Sequence, residues 1–137
     1  YTDCLHFAAE LTGRFIEDRK PLPAIVLGNN GSSLTAISND YSYEESFARE
    51  LECFGLENDI FFAISTSGTS KNIQKAIKVA KNKNLQTILL TSDKYTFNNN
   101  NCTDLCISVK SFETAIIQQI HYIIIHLICY EIEKNLI

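Results

Sequence analysis

Two widely separated stretches carry side chains that bind cations or move protons. His6 and Glu10 stand four residues apart in a helical pattern, so an imidazole and a carboxylate sit one above the other on one helix face. Near the C-terminus, Gln118, His121 and His126 interrupt a long apolar helical run. Imidazole nitrogen, carboxylate oxygen and amide oxygen together suit zinc or a related divalent ion. The competing reading is simple: HxxxE pairs arise often by chance, and a histidine in so apolar a helix is by default a core side chain bonded to a backbone group. Gln118 and His126 are eight residues apart, about 12 Å along a helix axis. One ion reaches both only through extended side chains; otherwise they belong to different shells or to sites shared between subunits.

A second chemistry is written between them, in DIFFAISTSGTSKNIQKA. Residues 59–64 read as a buried strand, a short aromatic-rich apolar run bounded by polar residues. Ser65, Thr66, Ser67, Gly68, Thr69 and Ser70 then supply hydroxyls, backbone amides and one glycine for close approach. Thr69 or Ser70 can cap the helix that follows, where Ile73, Ala76, Ile77 and Ala80 recur on one face. A loop of this kind at a helix N-terminus suits a phosphate, because unpaired N–H groups and the helix dipole point at the same spot. Taken alone, the loop reads equally as an ordinary turn with a helix cap.

The elements that must position these groups alternate in type. Residues 1–17 have helical spacing, with Leu5, Ala8, Ala9, Leu11 and Phe15 on the apolar side, and Pro21 and Pro23 end the element. Residues 24–27 predict a short strand, 29–31 a turn and 32–38 a short helix. Asn39, Asp40 and Tyr41 interrupt the pattern before a helix over 43–54, which stops near Gly55. Beyond the hydroxyl loop come a helix to about residue 83, strands over 86–91 and 105–109 with an asparagine-rich loop over 92–101 between them, and a helix over 113–134. That helix is apolar nearly all round, so it demands cover on more than one side: the sheet on one face, a partner subunit on another. The alternation predicts a three-layer α/β sandwich with a mainly parallel central sheet flanked by helices and right-handed crossovers, flavodoxin- or Rossmann-like. Ligands in such sheets sit at the carboxyl ends of the strands, which puts the 65–70 loop and the Asn39–Asp40 turn in one crevice.

Composition narrows the function. With 137 residues, 45% of them hydrophobic, the chain holds one domain with a real core. A net charge of −4 without a basic cluster argues against a nucleic-acid surface. The polar interruptions of the last helix argue against a membrane span. The chain has no methionine, so Tyr1 is not a translation start, and an N-terminal piece is expected to precede it. No secretory leader is visible in what remains. Five scattered cysteines, with only Cys102 and Cys106 close together, read as buried free thiols in a reducing cytoplasm.

HFAAELTGRF, RKPLPAI, SLTAISNDYSYEESFAR, AISTSGTSKNIQKAIKVAK and IQQIHYIIIHLI resemble, in order and spacing, the sugar isomerase (SIS) domain family, and within it the phosphoheptose isomerases. The resemblance runs from about His6 to the C-terminus. It implies an aldose–ketose isomerase acting on sedoheptulose 7-phosphate in the cytoplasm, in heptose synthesis for lipopolysaccharide core or other surface glycans. Zinc ligands are implied at His6, Glu10, Gln118 and His126, and substrate contacts at Glu10, Asn39, Asp40, Ser65, Thr66, Ser67, Ser70 and Gln118. Glu10 and His126 match the acid/base pair, and His121 is left without an assigned role. A homotetramer with sites between subunits is also implied. The chain departs from the family pattern in three places: the glycine-rich GNGGS-type turn, a preceding strand and N-terminal helices are missing ahead of Tyr1; Ile116 stands where relatives often have Arg; and the loop after QTILLTS lacks the usual glycines. The rival reading is a non-catalytic SIS-domain adaptor like the bacterial protein that binds the initiator DnaA, and the presence of Glu10 and His126 favours the enzyme.

Overall fold

A computed structural model describes residues 1–93 and 103–136. Its elements are α1 (Thr2–Thr12), α2 (Gly31–Asp40), a 3-10 turn (Tyr43–Glu45), α3 (Ser46–Phe54), β1 (Ile60–Ile64), α4 (Lys71–Asn82), β2 (Gln86–Ser92), β3 (Leu105–Val109) and α5 (Thr114–Leu136). The strands lie in the order β1-β2-β3, all parallel, with Phe62 opposite Ile88 and Leu90 opposite Ile107.

Alternation along these strands produces the layers, because successive side chains point to opposite faces. Phe61, Ala63 and Leu89 join Leu51 of α3 and Ala76, Ile77 and Ala80 of α4 in one apolar cluster. Phe62, Ile64, Leu90 and Ile107 face the other way, onto Phe7 of α1 and Ile125 and Cys129 of α5. Helices therefore cover both faces of a parallel sheet, as expected. At the exit of α4, Asn84 adopts a left-handed backbone (φ 59°) and Leu85 donates its N–H to the Ala80 carbonyl, closing the helix before β2.

Several local expectations are corrected. The first helix stops at Thr12, and residues 13–20 form a loop instead of a last turn. Within it Phe7, not the Leu5–Ala9 side, is the buried residue. Residues 24–27 join no ladder among the described residues: β1 pairs only with β2, and the segment lies across a groove of about 700 Å³ from it, with no strand beside it to pair with. Asn39 and Asp40 are the last two residues of α2, not a turn after it. The helix over 43–54 begins as a 3-10 turn. Cys129 is buried, but Cys53 and Cys106 are exposed, on the outer side of α3 and on the outermost strand. Cys102 and most of the asparagine-rich loop lie outside the described residues.

Among the described residues, the long helix α5 is covered on one side only. Ile117, His121, Ile125, Cys129 and Glu133, spaced four apart, form its buried face, while Ile116, Ile123, Leu127 and Tyr130 are exposed. By length and composition alone α5 could cross a membrane. Its inner face packs on β2 and β3 and carries a histidine and a glutamate, which marks a core helix of a layered domain.

Candidate active site

α1 and α5 pack side by side on the same face of the sheet, and the two ends of the sequence thereby meet. His6 Nε2 lies 2.8 Å from His126 Nε2 and 3.5 Å from Glu10 Oε1. One ring nitrogen of the histidine pair donates and the other accepts. The ligand-type atoms of His6, Glu10 and His126 all fall within 4.8 Å of one another, and all three residues are half-buried. Around them stand two aromatic rings. Tyr122 stacks on His6 at 4.8 Å and meets His126 edge-on at 4.5 Å, and Phe15 lies against His126 at 5.4 Å.

Two nitrogens and one oxygen from three half-buried residues are the kind of donor set that catalytic divalent-metal sites use. Tetrahedral bonds of about 2.0–2.1 Å separate ligand atoms by about 3.3 Å, so the imidazoles need move only a few tenths of an ångström apart to admit the ion. The residues present fit a divalent metal.

Gln118 does not join this group. It is exposed on α5, eight residues before His126. His121, between them, is fully buried, with Nε2 3.0 Å from the Thr91 carbonyl oxygen and Nδ1 without a partner. Its place is in the seam between α5 and β2.

The hydroxyl loop follows the expected strand–loop–helix course. Ser65 continues the ladder through its N–H to the Leu90 carbonyl. Its buried hydroxyl accepts from the Gly68 N–H at 3.1 Å and lies 3.3 Å from Ser70 Oγ. Gly68 takes a left-handed turn (φ 68°), the conformation for which glycine is suited. Ser70 occupies the N-cap position of α4, but its side chain turns to Ser65 and makes no cap bond. The N–H groups of Lys71 and Asn72 are thus left for an anion, while that of Ile73 donates to Asn72 Oδ1 at 2.9 Å. Thr66 presents its carbonyl to Ser92 Oγ at 2.6 Å, and Ser67 accepts from the Thr69 N–H and hydroxyl. Asn39 and Asp40 are exposed and bonded to each other, Asn39 Nδ2 to Asp40 Oδ1 at 2.9 Å, with no bond to the loop.

Adjacent residues of β2 join the two regions, since Ser92 bonds the loop at Thr66 and Thr91 bonds α5 at His121. His121 precedes His126 by five residues, about 7.5 Å along the helix. Thr91 and Ser92 lie at the carboxyl end of β2, beside the hydroxyl loop, and α5 runs back from there, so His126 and the cation-type triad stand further along α5, level with Leu90 and Phe62.

A family model described as SIS domain matches residues 2–92. The chain belongs to the SIS domain family. Curated SIS relatives extend the likeness through α5: the phosphoheptose isomerase of Helicobacter pylori is 45% identical over 134 residues, 98% of this chain and 69% of that protein. A probable phosphoheptose isomerase of Thermoplasma acidophilum is 45% identical over 97% of this chain and 72% of its own length. Among solved structures, a phosphoheptose isomerase from Francisella tularensis superposes with a TM-score of 0.86 at 34% identity, over 93% of this chain and 68% of that one. Within the SIS domain family the chain is thus one of the phosphoheptose isomerase group, and the adaptor reading is not favoured.

Sequence reasoning missed Tyr122, Phe15, Arg19 and Glu133. Tyr122 had a local signal, one turn before His126 on the same helix face. Arg19 and Glu133 form a buried ion pair at 3.0 Å across 114 positions, and no local pattern announces such a pair.

Proposed function

We propose that the chain is an aldose–ketose isomerase that interconverts sedoheptulose 7-phosphate and D-glycero-D-manno-heptose 7-phosphate. The observation that carries the reading is the convergence of His6, Glu10 and His126 on one side of the sheet whose β2 also bonds the hydroxyl loop. Residues 1–137 act as a single SIS domain in this reading. The cofactor is one zinc ion per site, held by His6, Glu10 and His126. Gln118, about 12 Å along α5 from His126, contacts the substrate, and reaches the ion only where a second copy supplies it.

The phosphate sits on the N–H groups at the start of α4, with Ser65, Thr66, Ser67 and Ser70 around it and Asn39 and Asp40 on the sugar. That anchor leaves C1 and C2 beside the triad. With substrate bound, Glu10 and His126 would be free of the ion: Glu10 removes a proton from C1 while the imidazolium of His126 delivers one to the C2 carbonyl oxygen, so the C1=C2 enediol forms. The C1 hydroxyl then gives up its proton to His126, C1 becomes the carbonyl, and Glu10 returns a proton to C2. The ion, when bound, supplies Lewis-acid polarisation of the two oxygens. Each proton lost is matched by one gained, and no redox partner is needed. A homotetramer with sites at subunit interfaces, a cytoplasmic location and supply of heptose to lipopolysaccharide or other surface glycans complete the reading.

The test supplies sedoheptulose 7-phosphate in deuterated water to the zinc-loaded chain. Aldose phosphate with deuterium at C2 supports the assignment. No product from folded, zinc-loaded protein contradicts it.

A further inference from the structure

We propose that Glu133 and Arg19 are positioning residues for the His6–Glu10–His126 cluster, a clamp that fixes α1 against α5 and lays Phe15 over His126. The inference rests on the reading of that cluster as the reactive centre. Glu133 is two turns beyond His126 on α5, and its side chain is 3% exposed. One carboxylate oxygen accepts from the Phe15 N–H at 2.9 Å and from Arg19 Nε at 3.0 Å; the other accepts from the N–H groups of Ile16 and Glu17 at 2.9 and 3.0 Å. Three successive amides thus fold around one anion, and the loop after α1 takes its course from that point.

Arg19 completes the connection. Its Nη2 donates to the carbonyl of Glu10 at 2.7 Å and its Nη1 to that of Leu11 at 2.9 Å, two of the carbonyls that the end of α1 leaves unpaired. The cation also lies at the negative end of the helix dipole. A rigid chain of bonds therefore runs from α5 through Glu133 and Arg19 to the backbone of Glu10, a residue of the triad itself. By the same clamp Phe15 is held 5.4 Å from the His126 ring. A buried ion pair adds little net stability over apolar packing of the same volume, because desolvation offsets the attraction. Apolar side chains at these positions could not gather three amides and two helix-end carbonyls, and that is what orients the triad.

The experiment compares the full wild-type chain with Glu133→Gln, and with Ile77→Val, a mildly destabilising control in the α4 cluster on the opposite face of the sheet. Two quantities are read: zinc affinity by chelator competition, and the ring-proton shifts of His126 in metal-free protein, which report the Phe15 ring. Glu133→Gln is expected to weaken zinc binding about tenfold and to move the His126 shifts, while Ile77→Val changes neither. Wild-type affinity and unmoved His126 shifts in Glu133→Gln overturn the proposal, as does an equal effect in the control. If the wild-type chain shows no isomerase activity or binds no zinc, the functional reading fails while the His126 shifts still decide the clamp. Should Glu133→Gln not fold, Arg19→Lys is read the same way, since lysine keeps the charge but cannot span the carboxylate and both carbonyls.

Discussion

Glu10 and His126 carry the proposed proton transfers, and each is replaceable by a side chain of nearly the same shape. Glu10→Gln keeps an oxygen donor for the ion but removes the base, so turnover falls by about 100-fold or more with zinc still bound, as measured by product formation and metal content. Cys129 is a second residue with a defined outcome. Burial first, with the charge of Glu10 next, pushes its thiol up to about 11, although the Arg19 charge opposes this. Alkylation at pH 8 is therefore expected to label the exposed Cys53 and Cys106 and spare Cys129, as read by mass spectrometry of peptides. Glu133 titrates in the opposite sense. Burial acts to raise its pKa, but the N–H groups of Glu17, Ile16 and Phe15 and the Arg19 charge outweigh it and hold the carboxyl at about 2. A folded-state pKa below the ordinary 4.5 means that Glu133 contributes stability above about pH 4.5, and that the contribution is lost as pH falls toward 2. The urea midpoint of wild type should drop over that window, and the drop should be smaller in Glu133→Gln.

Among the elements, the strand–loop–helix unit from β1 to α4 was the most legible. Its apolar run, hydroxyl loop and the face formed by Ile73, Ala76, Ile77 and Ala80 all lie within a few residues of one another, where period and composition speak directly. The His6–Glu10 pair was legible for the same reason, because one helical turn separates them. Its partnership with His126 was not derivable from spacing, since 120 positions intervene and only the packing of α1 on α5 closes the distance. The segment over 24–27 shows the limit from the other side. Its apolar residues announce extended chain, but a strand exists only beside another strand, and pairing is a property of the sheet. Burial tells the same story in α5, where the apolar residues are divided between an inner face that the chain covers and an outer stripe that it leaves open. Ile125, fully buried against β2, is expected to cost about 2–5 kcal/mol when cut to alanine. Thermal or urea denaturation measures that loss, and it should exceed the loss from Ile123→Ala on the open stripe.

At the scale of the whole molecule, Ile116, Ile123, Leu127 and Tyr130 form a stripe with helical spacing on the outer face of α5. An apolar face of this length calls for a partner, and the proposed homotetramer supplies one. Leu127→Lys should shift the assembly to smaller species by light scattering while leaving the chain folded, and a wild-type chain that is already monomeric would contradict the assembly. The same molecule-wide view joins the two halves of the site: the hydroxyl loop belongs to β1 and α4, the triad to α1 and α5, and β2 touches both through Thr66 and His121. The central claim is that this domain isomerises a sugar phosphate with Glu10 as base. Its most direct test is deuterium incorporation at C2 when wild type and Glu10→Gln, both zinc-loaded, act on sedoheptulose 7-phosphate in deuterated water. The account predicts deuterated aldose phosphate from wild type and about a 100-fold slower appearance from the variant. Equal rates from the two, or no product from zinc-loaded wild type, would contradict it.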